Sequence, residues 1–408
     1  MKKQSLSALA AAGLLAGGLS VTSASAADLG GNCCADLEER IAELEATTAR
    51  KGNRKVSLTI SGWVAEQVTY WDDGVESNTY VTGLGSTLAT NVKFTGQATI
   101  VPGWTAGYVL HIEADGSDSL TTNQVTPRGP GLLNGGLTNN FVQTMQSYWF
   151  IKSDHYGKVS VGLQSMVSDN AAILVDGSGS LVPANWVAYE FLSFGIRNNA
   201  GGFTGGTWGG QGVCITGDCF GVPANSVRYD SPTFAGFSAS ASWGDDEIWD
   251  IGIRYAGEVH GFKLAATAVY AESSGAVSSV FGDANYFQAG LYAQHIGTGL
   301  FGLVNYADFE NNLVANEGEV WYFKGGIRRN WNHLGATVLY GEYLDSQDDA
   351  RNADLNWYGA GIVQEIDAAA MSLWLKYRNI EADGGVCDVG NQGCQDFNEV
   401  TFGALINF

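Results

Sequence analysis

From Ser57 to Phe408 apolar and polar residues alternate with a period of two. Between 91 and 100, Val92, Phe94, Gly96, Ala98 and Ile100 interleave with Asn91, Lys93, Thr95, Gln97 and Thr99. Successive side chains of a strand point to opposite faces, so each set meets its own environment. Turn residues divide the pattern into sixteen expected strands. They lie near 57–71, 91–101, 105–114, 142–152, 157–165, 225–231, 236–243, 248–256, 262–271, 284–295, 299–309, 319–331, 333–343, 355–365, 369–379 and 397–408. In 142–152 and 299–309 the alternation does not assign an outward face.

Connection lengths test this without hydropathy. Links after even-numbered segments are short, among them Pro102-Gly103-Trp104 and the single Asn332. Those after odd-numbered segments are mostly long, the longest being 166–224, and 244–247 is the exception. An even strand count, short turns on one side and long loops on the other describe a transmembrane β-barrel. The reading is therefore all-β: a 16-stranded antiparallel barrel over 56–408.

Composition agrees. Only 15% of residues are charged, against about 25% in an ordinary soluble domain. There are 55 glycines but 6 prolines, together with 12 Trp, 17 Tyr and 18 Phe. Mean hydropathy is -0.02, and past residue 26 no run approaches the ~20 apolar residues of a spanning helix. With 42 acids against 21 bases, binding of nucleic acid through its phosphates is excluded.

Residues 1–26 read as a secretory signal peptide: Lys2 and Lys3, the apolar run Leu6–Val21, then Ala24-Ser25-Ala26. This points to a Gram-negative envelope. Residues 27–55 lack the period of two that begins at Ser57. Leu37, Ile41 and Leu44 form a short heptad stripe among Glu38, Glu39, Arg40, Glu43 and Glu45, the mark of a coiled-coil-like periplasmic helix. Two heptads do not hold a helix alone, but chains already held together would raise their effective concentration. Cys33 and Cys34 just before the stripe cannot bond to each other without strain. An interchain link and a free tail both remain open for them.

Six cysteines suit an oxidising compartment. Cys214 and Cys219, and Cys387 and Cys394, are candidates for local disulfides in loops; free or metal-binding thiols are the alternative, without the paired CxxC spacing usual for zinc. Five scattered histidines show no spacing diagnostic of an enzyme, and the segments share no repeat of the β-solenoid kind.

The last segment alternates Val400, Phe402, Ala404, Ile406 and Phe408 to the final residue, and a strand ending in Phe resembles the insertion signal read by the barrel assembly machinery. The pieces CCADLEERIAELEATTARKGNRKVSLTISGW at 33–63, NSVRYDSPTFAGFSASASW at 225–243 and the terminal VTFGALINF resemble the alphaproteobacterial porin family. The resemblance implies a homotrimer in the outer membrane, passive diffusion of small hydrophilic solutes and no cofactor. It also implies that the long loop after strand 5, here 166–224, folds into the lumen and narrows it.

A passive pore discriminates by width and fixed charge at its narrowest point. The loop offers Asp169, Asp176 and Glu190, along with Arg197. By alternation the wall offers Lys93, Arg228, Arg254, Lys376 and Arg378, with Lys158, Lys263 and Arg328 as further candidates. Loop acids opposite wall bases would set up a transverse field; each charge also has the plainer role of a solvated lumen residue. Trp63, Tyr70, Trp71, Trp243, Trp249, Tyr255, Phe262, Tyr270, Trp321, Phe323 and Phe408 lie mostly near strand ends, as interfacial girdles do. Trp374 is the best candidate for an aromatic sugar slide in a substrate-selective channel. Acids crowd the long loops, where divalent cations can bridge them to lipopolysaccharide phosphates. They also concentrate cations at the mouth, which predicts mild cation preference at low salt.

Overall fold

The computed structural model describes residues 55–127, 141–215, 223–274, 283–311 and 316–408. The signal and heptad segments, with Cys33 and Cys34, lie outside these residues, as does Cys219.

The chain forms β1 (Ser57–Asp72), β2 (Ser77–Thr82), β3 (Asn91–Val101), β4 (Trp104–Asp115), β5 (Phe141–Ser153) and β6 (Gly157–Gln164). The short β7 (Gly195–Arg197) and β8 (Phe203–Thr207) come next, within the long loop. The wall resumes with β9 (Ala224–Asp230), β10 (Phe237–Gly244), β11 (Trp249–Val259), β12 (Phe262–Ser274), β13 (Asp283–His295) and β14 (Leu300–Asn311). It ends with β15 (Asn316–Arg329), β16 (Thr337–Asp348), β17 (Ala353–Ile366), β18 (Met371–Gly384) and β19 (Phe397–Asn407).

Sixteen of these strands pair with their chain neighbours into one antiparallel sheet, and β1 closes it on β19 from Trp63↔Asn407 to Asp72↔Asn398. Closure leaves no sheet edge in the wall, which is what allows strands to cross a bilayer. β2 is additional, an arm of the first long loop paired with the upper half of β1. β7 and β8 make a separate hairpin.

Alternation carries through into three dimensions. Along β1, Val64, Val68 and Tyr70 face outward and are exposed, whereas Ala65, Gln67, Thr69 and Trp71 face inward and are buried. The ambiguous segment at 142–152 has a cause: the β4–β5 register shifts between His111 and Ile112. A bulge of this kind puts two neighbours on one face, here Met145 and Gln146, which both line the lumen.

Tyr70, Trp243, Trp249, Phe262, Tyr270, Trp321, Phe323 and Phe408 are exposed on the outside, where an interfacial girdle belongs. Trp63 and Trp71 instead face inward: the Trp63 indole donates to the Leu88 carbonyl at 3.1 Å, and Trp71 is buried. Near the external ends of β14–β18 the outer face turns acidic. Asp308 stands opposite Glu319, Glu310 opposite Glu317, and Asp354 opposite Asp383.

Candidate functional site

The long loop leaves β6 and turns into the barrel, where wall side chains take up its backbone in sequence. Arg228 donates to the carbonyls of Ser165 (2.9 Å) and Met166 (3.1 Å), and Arg254 to that of Val167 at 2.9 Å. The Ser168 N–H and hydroxyl both donate to Asp250 Oδ2 at 2.8 Å, and the Ala172 N–H to Gln288 Oε1 at 2.7 Å. These polar inward positions satisfy loop groups that burial would otherwise leave unpaired.

Further on the anchoring becomes ionic. Asp176 Oδ2 lies 2.5 Å from Lys324 Nζ, which also donates to the Ala184 carbonyl at 2.6 Å. Glu190 Oε1 meets Lys376 Nζ at 2.8 Å. Arg378 donates through Nε to Glu342 at 2.7 Å and through a terminal nitrogen to the Asn185 carbonyl at 3.1 Å. Glu399 completes the group 3.4 Å from Lys376. All of these charges are buried.

Between the ion pairs lies a hydrophobic core. Trp186, Phe191, Phe194, Ile196 and Trp208 of the loop are buried with Trp71, Tyr322, Trp357 and Phe397 of the wall. Phe194 and Phe397 meet edge to face at 4.9 Å between centroids, and Phe191 meets Trp357 likewise at 5.5 Å. The glycine-rich stretch 201–212, too flexible by composition to form an eyelet unaided, supplies β8 and the turn at Trp208–Gly210.

The loop therefore lies against the wall from β9 to β19 and stands away from β3, β4 and β5. An opening there is lined by Lys93, His111, Gln146, Asp169, Asn185, Tyr189, Arg228 and Arg254. Lys93 and His111 are direct cross-strand neighbours. Burial pushes the Asp169 carboxyl up to about 6, although Ser165, Asn170 and Arg228 favour its charged form.

Of the expected site residues, Asp176, Glu190, Lys376 and Arg378 come together as contacts between loop and wall rather than as charges facing one another across water. Asp169, Lys93, Arg228 and Arg254 share the opening. Lys158 pairs with Asp230 at 3.1 Å and Arg328 with Glu365 at 2.5 Å. Sequence reasoning passes over Lys324, Glu342 and Glu399, although alternation places all three inward.

Trp374 faces inward but is only 2% exposed. Its ring lies over Gly403 of β19, where an added Cβ would overlap it, so it offers no face to a solute. Cys387 and Cys394 form a disulfide at 2.04 Å, and Cys214 is disulfide-bonded. Among the described residues no three His, Cys, Asp or Glu side chains gather as a metal site.

A closed sixteen-stranded barrel narrowed by an internal loop is one side of the comparison with known proteins; the other is a match to the Gram-negative porin family model over residues 7–385. The chain belongs to the Gram-negative porin family. This porin is a multi-pass outer-membrane channel. Among solved structures it is similar to the anion-selective porin from Comamonas acidovorans, with TM-score 0.58, 16% identity and coverage of 86% of this chain and 100% of that one. It is also similar to Salmonella typhi OmpF in complex with daunomycin, with TM-score 0.53, 13% identity and coverage of 87% and 98%. In vitro folded OmpT of Vibrio cholerae in its trimer form gives TM-score 0.50, 10% identity and coverage of 86% and 99%. No curated protein sequence matches.

Proposed function

We propose that this porin is a passive, water-filled path for small hydrophilic solutes and ions, works as a homotrimer without a cofactor, catalyses no reaction, and prefers cations mildly at low salt. One observation carries the reading: the infolded loop is tied to the wall from β9 to β19 and leaves an opening between itself and β3–β5, lined by Lys93, His111 and Gln146 of the wall and Asp169 of the loop.

The cation preference rests on the mouth, where Asp72, Asp118, Asp345 and Asp349 stay at least partly exposed at the external ends of strands and in the loops beyond them. The Debye length is about 30 Å at 0.01 M salt and about 3 Å at 1 M. Mouth acids therefore act on entering ions only in dilute salt, and the interior bases gain relative weight as salt rises. Reversal potentials in planar bilayers across salt gradients test this: permeability favouring potassium at about 10 mM and fading toward about 1 M is expected. Chloride preference at low salt would overturn it and place this porin beside its Comamonas neighbour, which is described as anion-selective.

The OmpT neighbour's trimer form supports the homotrimer, and conductance arriving in threes is the expected outcome. The outward acid pairs of β14–β18 support contact with lipopolysaccharide, since like charges directly opposite are unfavourable until divalent cations join them to phosphates. The exposed terminal Phe408 supports recognition by the barrel assembly machinery.

A further inference from the structure

The β7–β8 hairpin of the infolded loop rises beside the β1–β19 seam, and three external loops hold it, the second at its base and the first and last farther up. From the first loop, Asp73 accepts from Arg197 Nε at 3.0 Å, and Glu76 accepts from a terminal nitrogen of the same guanidinium. From the second, the Gln124 side chain exchanges hydrogen bonds with the Gly195 N–H (2.9 Å) and carbonyl (2.8 Å). From the last, the Gln395 N–H donates to the Arg197 carbonyl at 2.8 Å, and the Asn199 N–H to the Gly393 carbonyl at 3.3 Å. That last loop is cross-linked by Cys387–Cys394, and Cys387 is 2% exposed beneath Gln211.

The hairpin's feet and its tip are held by different means. Phe194 and Trp208 at the feet are locked in the aromatic core of the seam. The arms are three and five residues long and rich in glycine, and so short a two-stranded ribbon does not hold its own shape in water. Its tip stands where it does because the loops grip it.

We infer that the first and last external loops form a clasp over this hairpin, locked by the Cys387–Cys394 disulfide, and that opening the clasp lets the hairpin swing on its aromatic feet and interrupt the current. The inference rests on the channel reading above. An external dithiol opens it by attack on Cys394, the more accessible sulfur. Cys387 leaves as thiolate and takes a proton, and the reagent's second thiol closes its own disulfide, leaving two cysteine thiols.

The test is single-channel recording of the full-length porin in planar bilayers. Because Cys214 is also disulfide-bonded, the informative protein is the Cys387→Ser/Cys394→Ser double variant, recorded beside wild type with and without dithiothreitol. Steady current is expected from oxidised wild type. Brief partial closures, at least tenfold more frequent, are expected from the double variant, from reduced wild type and from Arg197→Gln. A double variant that keeps the barrel's heat-dependent gel shift and conducts as steadily as wild type would overturn the clasp. So would closures that appear with dithiothreitol but not with the serines, since they would then belong to Cys214. Absence of conductance in oxidised wild type would refute the channel reading instead, a result distinct from either.

Discussion

Glu190 and Lys376 touch at 2.8 Å although 186 positions separate them, one on the infolded loop and the other on β18. They belong to a buried group of three acids, Glu190, Glu342 and Glu399, and two bases, Lys376 and Arg378. Removing a base from such a group leaves charge stranded without water, whereas removing one acid leaves the numbers even.

The two halves of that group should respond unequally. Breaking a buried pair by deleting one partner costs about 3–5 kcal/mol, and Arg378→Met leaves three acids facing one base. Glu190→Gln leaves two of each and keeps a polar head at Lys376. Equilibrium unfolding in detergent should show the full cost for Arg378→Met and less than half of it for Glu190→Gln. Equal losses would mean that the loop contact, rather than charge balance, sets the stability.

Selectivity should depend on pH through Asp169. Its carboxyl is pushed up to about 6 by burial, so it loses its charge as pH falls through that value. Arg228 and Arg254 line the same opening, which therefore grows more positive. Reversal potentials should drift toward chloride as pH falls from above to below about 6, and Asp169→Asn should remove the part of the drift centred there. Stability moves with the same proton. A raised carboxyl favours the folded state at pH below the ordinary value of about 3.9, and that contribution is lost as pH rises through about 6.

Asp73 behaves in the opposite sense. Burial alone would raise its pKa, but hydrogen bonds from the Glu76 N–H, Arg197, Gln124 and the Val75 N–H together hold it below the ordinary carboxyl value. A depressed carboxyl stabilises the fold at pH above its unfolded value of about 3.9 and stops doing so as pH falls through the folded one. Protection of the first external loop against hydrogen exchange, taken relative to the intrinsic rate at each pH, should be high at pH well above about 3.9 and fall as pH drops through the lower folded value. In Asp73→Asn the protection should be low throughout.

Two glycines should separate packing from backbone effects. A Cβ at Gly403 would run into the Trp374 ring, whereas one at Gly302 meets nothing within 4 Å. Overpacking costs about 1–3 kcal/mol, so Gly403→Ala should lower the unfolding midpoint and Gly302→Ala should leave it unchanged. Differential scanning calorimetry reads both.

Much of the wall is legible in the sequence because membrane and lumen impose a period of two. The segments at 91–101 and 262–271 fall on β3 and within β12, and the long loop lies where the connection lengths put it, between 166 and 224. Errors arise where local pattern and pairing part company. The segment expected at 333–343 is β16 at Thr337–Asp348, because Trp331 and Leu334 look strand-like yet lie in the turn, both exposed. β2 escapes the pattern because a polar run such as SNTYVT has no apolar face to announce it. At the site, alternation finds which bases point inward, but whether Lys376 meets an acid or water depends on where a residue 186 positions earlier comes to rest. Trp71 and Trp374 mislead for the same reason: a strand shows which face a ring is on, not what covers it.

The aromatic core of the seam also imposes an order of events. Phe194 and Trp208 pack on Phe397, which lies against Trp71, and those two wall residues belong to the last and first strands of the barrel. Their shared surface does not exist until the chain's two ends have met. The infolded loop can therefore reach its seat only after the cylinder is complete, and a half-assembled barrel has no finished place for the element that narrows it.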